Sequence, residues 1–420
     1  MKNEEIAKAA GEPIKVLLAE DNPMDAVMIR AVLGWVDGAT FEIDAFDRLG
    51  AAIERAKVVT FDVMLLDLGL LDAQGLDTFV HAHTALPGVP IVVLSGLADE
   101  QVAMQAVHKG AQDYLLKGPG MKDLLPRALR YAIERHHGQQ KLERYTRELQ
   151  EKNATLEEEL RLAREVQQAL LPQHYPHFSD LTSVHGRALQ FAHRYCPATA
   201  LSGDFFNILP ISDHEAGVLI CDVMGHGVRA AFIGALARGF ILQFTPIASD
   251  PGRFLTSLNR VLTETLKQSG IEAFASAFYF VADVASQQMR YANAGHPSAL
   301  MLRRDAGVVE WLQVERPFQP PLGLLEATTY PESRTVLSER DSIVLYTDGL
   351  YEQENAAGEQ FGHQRLLDAV TGRLGEPCYT LLDELVKETQ QFSGQKDFAD
   401  DVCLVGMDVV DGSAFDQRAA

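Results

Sequence analysis

The chain has 420 residues, 47% of them hydrophobic, and a formal net charge of -21. That is enough apolar material for two or three domains with sizeable cores, and the charge argues against a nucleic-acid backbone as partner while suiting metal cations or basic protein patches. Four scattered cysteines (Cys196, Cys221, Cys378, Cys403) form no CxxC pair and predict inert thiols in a reducing compartment.

Residues 1–13 are polar and acidic, unlike a signal peptide, and are expected to be disordered. No run reaches the roughly 18 apolar residues of a membrane span, so the expected location is cytoplasmic, with no membrane partner. From 14 to about 135, apolar runs ending in polar residues ("IKVLLAED", "FDVMLLDLGL", "PIVVLSG", "DYLLKG") alternate with helical stretches. This rhythm predicts a doubly wound α/β domain with a five-stranded parallel sheet. Residues 136–171 are charged and helix-favouring. Leu142, Leu149 and Leu156 recur every seven residues, continued by Ala163 and Leu170, while Asn153 sits in the alternate core row. The pattern fits a two-stranded coiled coil and hence a homodimer; a solvated linker helix is the plainer alternative. Pro172 ends the helix. Residues 172–410 mix strand-like runs ("AFASAFYFVADV", "QQMRYANAGH", "DSIVLYTDGL") with helices ("FLTSLNRVLTETLKQ", "CYTLLDELVKETQQF"), and 411–420 are expected to be loose.

Two carboxylate constellations emerge. In the first, Glu20 and Asp21 end the first strand, Asp67 the third, Ser95 the fourth and Lys117 the fifth. A parallel sheet brings all these ends to one rim, where ligands sit. Three crowded carboxylates repel unless a cation joins them, and an incomplete oxygen cage suits Mg²⁺. A carboxylate so held beside a lysine can attack a phosphoryl group, and Asp67 is the best nucleophile candidate. The stretches "LLAEDN", "VMLLDLGLLDAQGL", "VVLSGLAD" and "GAQDYLLKG" resemble the CheY-like receiver domain of two-component response regulators. That resemblance implies Asp67 as phosphoacceptor for a sensor histidine kinase, and Glu20 and Asp21 as Mg²⁺ holders with it. It also makes Ser95 and Lys117 the phosphoryl contacts, and Tyr114 the aromatic switch. Gly118 departs from the proline usual after the lysine.

The second set is Asp204 in "SGDFFN", Asp222 in "VLICDVMGHG", Asp348 in "YTDGLYE", and Asp400 with Asp401 in "FADDVCLVG". Singly, GD and DG pairs are ordinary turn signals. Gathered together, four carboxylates would need about two divalent cations, whose clamp roughly 3.5–4 Å apart serves phosphate-ester hydrolysis. No P-loop pattern is present. The motifs "AREVQQALLP", "LSGDFF", "CDVMGHGVRAA", "YANAGHP", "LYTDGLYE" and "DDVCLV" resemble, in order, the SpoIIE-like branch of the metal-dependent (PPM-type) serine/threonine protein phosphatases. The resemblance spans about residues 158–408 and implies two packed antiparallel β-sheets flanked by helices. By position it makes Asp222 the bridge between two Mn²⁺ or Mg²⁺ ions. Asp204 and the Val223 carbonyl would complete one shell, and Asp348 and Asp400 the other, with Asp401 as the alternative ligand. Ser202 and Phe206 replace the family's usual glycine and tyrosine without removing a ligand. His226 is read as structural rather than catalytic, and His296 as shaping the rim.

The resulting expectation is a receiver-controlled phosphatase for phosphoserine or phosphothreonine on a partner protein, which the resemblance makes a phosphorylated anti-sigma-factor antagonist. The rival is a catalytically inactive phosphatase-like adaptor that binds a regulatory protein in a receiver-dependent way. A DNA-binding output is disfavoured by the acidic charge and the lack of a recognition-helix motif.

Overall fold

The computed structural model describes residues 12–36, 39–96, 100–172, 174–176, 178–179, 186–316 and 318–411. Most of the segment expected to be disordered (1–13), and all but Asp411 of the expected loose tail, lie outside the described residues. Asp411 is no part of a loose end: it closes the last strand. The chain divides into two compact units, residues 1–154 and 155–420.

In the first unit, strands β1 (Ile14–Ala19), β2 (Phe41–Phe46), β3 (Val63–Asp67), β4 (Ile91–Ser95) and β5 (Asp113–Leu116) form one sheet in the order β2-β1-β3-β4-β5. All pairings are parallel. Apolar side chains leave β3 in both directions, and the sheet is buried on both faces. Met64 and Leu66 join one core with Phe79 and Ala103, whereas Val63 and Leu65 join another with Ile29, Leu125 and Leu129. Covering both faces is why these strands read as continuous hydrophobic runs. Helix α1 (Pro23–Gly34) starts cleanly because the Asn22 side chain accepts the Met24 amide at 3.0 Å and Pro23 occupies the first turn. Helices α2 (Leu49–Ala56), α3 (Leu76–Ala85) and α4 (Glu100–His108) complete the alternation.

Helix α5 runs from Met121 to Leu170 without a break at Arg135. The expected boundary there is compositional only. Met121, Leu125, Leu129 and Ala132 face the core of the first unit, after which the same helix turns polar. Leu142, Leu149 and Leu156 lie on it, exposed at 67%, 60% and 55% in the single chain.

The second unit is a two-sheet sandwich. One sheet is built from β7 (Phe205–Pro210), β8 (Glu215–Val223), β9 (Ala275–Asp283), β10 (Gln288–Ala294) and β13 (Ser333–Val336), in that order. The other runs β12 (Val308–Trp311), β11 (Leu300–Arg303), β14 (Ser342–Tyr346), β15 (Val402–Asp411), β6 (Arg187–Cys196), and ends on a two-residue strand at Phe178–Ser179. Every pairing in both sheets is antiparallel. Alternation along β14 shows the layering. Ile343 and Leu345 point into the inter-sheet core, whereas Val344 and Tyr346 point to the outer core. Helices α6 (Val228–Gln243) and α7 (Pro251–Gln268) cover the first sheet; α8 (Gly362–Thr371) and α9 (Cys378–Ser393) cover the second. Cys221, Cys378 and Cys403 are buried free thiols, and Cys196 is half-buried.

Candidate metal and phosphoryl centres

At the carboxyl ends of the parallel strands, Glu20, Asp21 and Asp67 offer oxygens that all lie within 4.8 Å of one another. Lys117 reaches into them. Its Nζ lies 2.5 Å from Asp67 Oδ2, 2.7 Å from Glu20 Oε2 and 3.0 Å from Asp25 Oδ2. Burial pushes the Glu20 carboxyl up to about 7, partly opposed by Lys117, while Asp67 adds to the rise. The carboxylates hold the Lys117 ammonium above its usual range against the desolvation that opposes them. Ser95 is buried at the end of β4, next to the strand of Asp67, with its hydroxyl on the Gly96 carbonyl at 3.0 Å. Tyr114 is half-buried against the core around Phe79. Five of the six residues singled out in the sequence thus meet at one rim, and Tyr114 sits beneath it. Asp25 is the one that sequence reading missed. Its only signal was an acid in the first turn of α1.

The second centre gathers aspartates from four separated segments. Asp222 is the penultimate residue of β8, Asp204 immediately precedes β7, Asp348 opens a tight turn after β14, and Asp400 and Asp401 immediately precede β15. Asp204 is buried, and its carboxyl is driven well above the ordinary range, first by burial and then by Asp222. Asp222 is pushed up to about 7 by burial, with Asp348, Asp400 and Asp401 adding like charge. Burial and then Asp400 raise Asp348. These mutual effects place the acids within one another's field, though not in a group as tight as the receiver trio. Thr347 joins them: its hydroxyl donates to Asp204 Oδ2 at 2.7 Å and accepts the Cys403 amide at 2.9 Å. Sequence reading passed over Thr347, although it stands inside the quoted "YTDG".

Two glycines explain how the segments come so close. A β-carbon on Gly203 would lie 2.7 Å from the Val223 carbonyl oxygen, and one on Gly349 would lie 2.2 Å from the Asp401 carbonyl oxygen. Neither glycine has positive φ. The GD and DG pairs are therefore close-approach glycines, not turn signals of the ordinary kind. Gly225 and Gly227, at φ 85° and 80°, are the ones that turn the backbone between Asp222 and α6. His226 is exposed in that turn.

Asp400 and Asp401 differ sharply. Asp401 is buried, and both its oxygens are occupied, accepting the Ala198 and Gly203 amides at 2.8 Å each. Asp400 is exposed and, among the described residues, accepts only the adjacent Asp401 amide, at 2.8 Å. The donor set at this centre is all oxygen, and its carboxylates are hindered from ionising by burial and by one another's charge. That suits hard divalent cations.

His296 is buried beside the acids. Its Nδ1 lies 2.7 Å from Ser276 Oγ, and burial pulls the imidazole down to about 3, so it is neutral. Ser276 stands opposite Asp222 in the β8–β9 register. Both line a cleft of about 690 Å³ that Asp222 and Asp348 also border.

Residues 16–129 match the family described as the response regulator receiver domain, and residues 212–410 match that described as stage II sporulation protein E (SpoIIE). Phosphoserine phosphatase RsbP of Bacillus subtilis is 28% identical over 253 residues, 60% of this chain and 58% of that protein. Protein IcfG of Synechocystis is 24% identical over 276 residues, 59% of this chain and 41% of that protein. The chain thus spans about half the length of these curated relatives. The SiaA-PP2C domain of Pseudomonas aeruginosa superposes with a TM-score of 0.52 at 20% identity, over 61% of this chain and 98% of that one. The fold is therefore an α/β receiver followed by a PP2C-like sandwich. The chain carries a response regulator receiver domain and a SpoIIE-type (PPM) phosphatase domain.

Proposed function

We propose that this protein is a response regulator whose phosphorylation at Asp67 by a sensor histidine kinase controls hydrolysis of phosphoserine or phosphothreonine on a partner protein. The observation that carries the reading is the convergence of Asp204, Asp222, Asp348 and Asp400 from four chain segments at one end of the sandwich. Asp222 would bridge two Mn²⁺ or Mg²⁺ ions, with Asp204 and the Val223 carbonyl on one and Asp348 and Asp400 on the other. Bound there, the cations neutralise phosphoryl oxygens and acidify a water. The chain's own share is to hold the acids in register. Thr347 orients Asp204, and Asp401 pins the Ala198–Gly203 loop that carries it. In the receiver, Glu20 and Asp21 would hold Mg²⁺ beside Asp67, Ser95 and Lys117 would contact the phosphoryl group, and Tyr114 would report its arrival.

The kinship with a phosphoserine phosphatase supports phosphoserine as the hydrolysed group, and the resemblance of the motifs to the SpoIIE-like family implies a phosphorylated anti-sigma-factor antagonist as its carrier. The exposure of the heptad leucines Leu142, Leu149 and Leu156 on α5 supports a homodimer through that helix. The adaptor alternative has no such support, because no predicted carboxylate ligand is missing. The test is Mn²⁺-dependent release of phosphate from a candidate phosphoprotein, with Asp222→Asn as control. Release that ignores Mn²⁺, or survives Asp222→Asn, overturns the reading.

A further inference from the structure

The cleft that begins at Asp222 and Asp348 continues along an aromatic wall. The Tyr351 and His363 rings lie 4.2 Å apart, and His363 meets Trp311 edge-on at 5.8 Å. Wall and acids share one support. The Tyr351 amide donates to the Asp348 carbonyl at 3.0 Å, so the turn that presents the carboxylate also presents the first ring. The Tyr351 carbonyl in turn accepts the Gly362 amide at 2.8 Å, which sets His363 at the start of α8. Met224, Phe274 and Pro321 line other parts of the same cleft. Apart from Asp222 and Asp348, the described residues of its lining include no carboxylate, lysine or arginine.

We infer that this aromatic wall is a substrate subsite that holds an apolar side chain next to the phosphorylated residue of a protein substrate. The inference deepens the phosphatase reading and rests on it. A phosphoryl group placed at the acids leaves the neighbouring residues of its own polypeptide in the remainder of the cleft. Among the described residues, that remainder offers apolar and aromatic surface with hydroxyl, amide and imidazole groups and no charged side chain. A charged flanking side chain would be desolvated there without a partner, whereas an apolar one gains burial against rings. A small phosphate ester would leave the wall uncovered. Pro321, which lines the cleft, packs with Gln319 on Gly295 beside His296.

The experiment uses the full chain with Mn²⁺ and two short phosphoserine peptides, identical except that leucine or alanine flanks the phosphoserine. p-Nitrophenyl phosphate is the third substrate. The expected result is a kcat/KM about tenfold higher for the leucine peptide, falling to near parity in Trp311→Ala and in His363→Ala. Each ratio is taken within one enzyme, so a variant that is partly unfolded still reports its own preference. Hydrolysis of p-nitrophenyl phosphate with equal use of both peptides by the unaltered protein overturns the subsite alone. So does a preference that persists in both variants. Absence of Mn²⁺-dependent hydrolysis of all three substrates overturns the phosphatase reading, and the subsite with it.

Discussion

Gly349 and Asp401 touch backbone to backbone: a β-carbon on the glycine would lie 2.2 Å from the Asp401 carbonyl oxygen. The turn carrying Asp348 and the segment carrying Asp400 are thereby locked side by side. At Gly203, likewise, a β-carbon would lie 2.7 Å from the Val223 carbonyl oxygen. Substituting either glycine by alanine should displace backbone rather than a flexible side chain. Gly203→Ala is expected to cost about 1–3 kcal/mol of stability and to lower phosphatase rate and Mn²⁺ affinity together, as read by urea melts and calorimetric titration. Unchanged Mn²⁺ affinity in a folded Gly203→Ala protein would contradict this.

The two adjacent aspartates should separate cleanly by phenotype. Asp401→Asn exchanges an acceptor of two backbone amides for a group with one carbonyl oxygen. It should destabilise the sandwich by about 1–3 kcal/mol, visible in denaturant midpoints without any metal. Asp400→Asn removes an exposed carboxylate with one local hydrogen bond. It should leave the metal-free melt nearly unchanged while cutting metal affinity and activity by tenfold or more, on the order of 1.4 kcal/mol. The reverse pattern would make Asp401 the ligand.

The aspartate cluster gives stability a distinct pH dependence. Asp222 is raised to about 7 in the folded chain from a reference near 3.8. A folded state that holds its proton more tightly than the unfolded state loses stability as pH rises through that window. Metal-free protein should therefore weaken between about pH 4 and pH 7, by a few kcal/mol at most, and Asp222→Asn should flatten the slope. Added Mn²⁺ should stabilise more at pH 7 than at pH 5, because the ligand form is the carboxylate. Thermal melts across pH, with and without Mn²⁺, check all three; a metal-free sandwich that strengthens over that window would refute the assignment.

At the receiver, Asp67→Asn should abolish Mg²⁺-dependent phosphoryl uptake from acetyl phosphate, measured by intact mass. Lys117→Ala should slow it by at least about tenfold, since the only cation within reach of Asp67 Oδ2 in the described structure is then gone. Comparing phosphatase rates with and without beryllofluoride tests the regulatory link. Equal rates would reject control through Asp67.

Leu149 is 60% exposed on α5. Leu149→Asp should convert a dimer to a monomer in sedimentation analysis while leaving the melt of each domain in place. A monomeric unaltered protein would remove the coiled coil.

Sequence alone determined much of this. Strand-terminal acids at Glu20, Asp21 and Asp67, with Lys117, were legible because a parallel sheet forces successive strand ends to one rim. That is a rule of topology, independent of side-chain packing. The sandwich aspartates were legible mainly through the resemblance of their motifs to the SpoIIE-like family, because each one alone reads as an ordinary turn signal. Tertiary structure alone decided which of Asp400 and Asp401 is tied up by backbone amides, and that Gly203 and Gly349 serve close approach rather than turning. It also revealed Thr347 behind Asp204 and an aromatic wall running from Tyr351 to Trp311. Those features depend on atoms brought together from segments up to about two hundred residues apart. Hydrogen bonds and steric contacts of that range leave no periodicity in the chain, because each partner is free to sit anywhere along it.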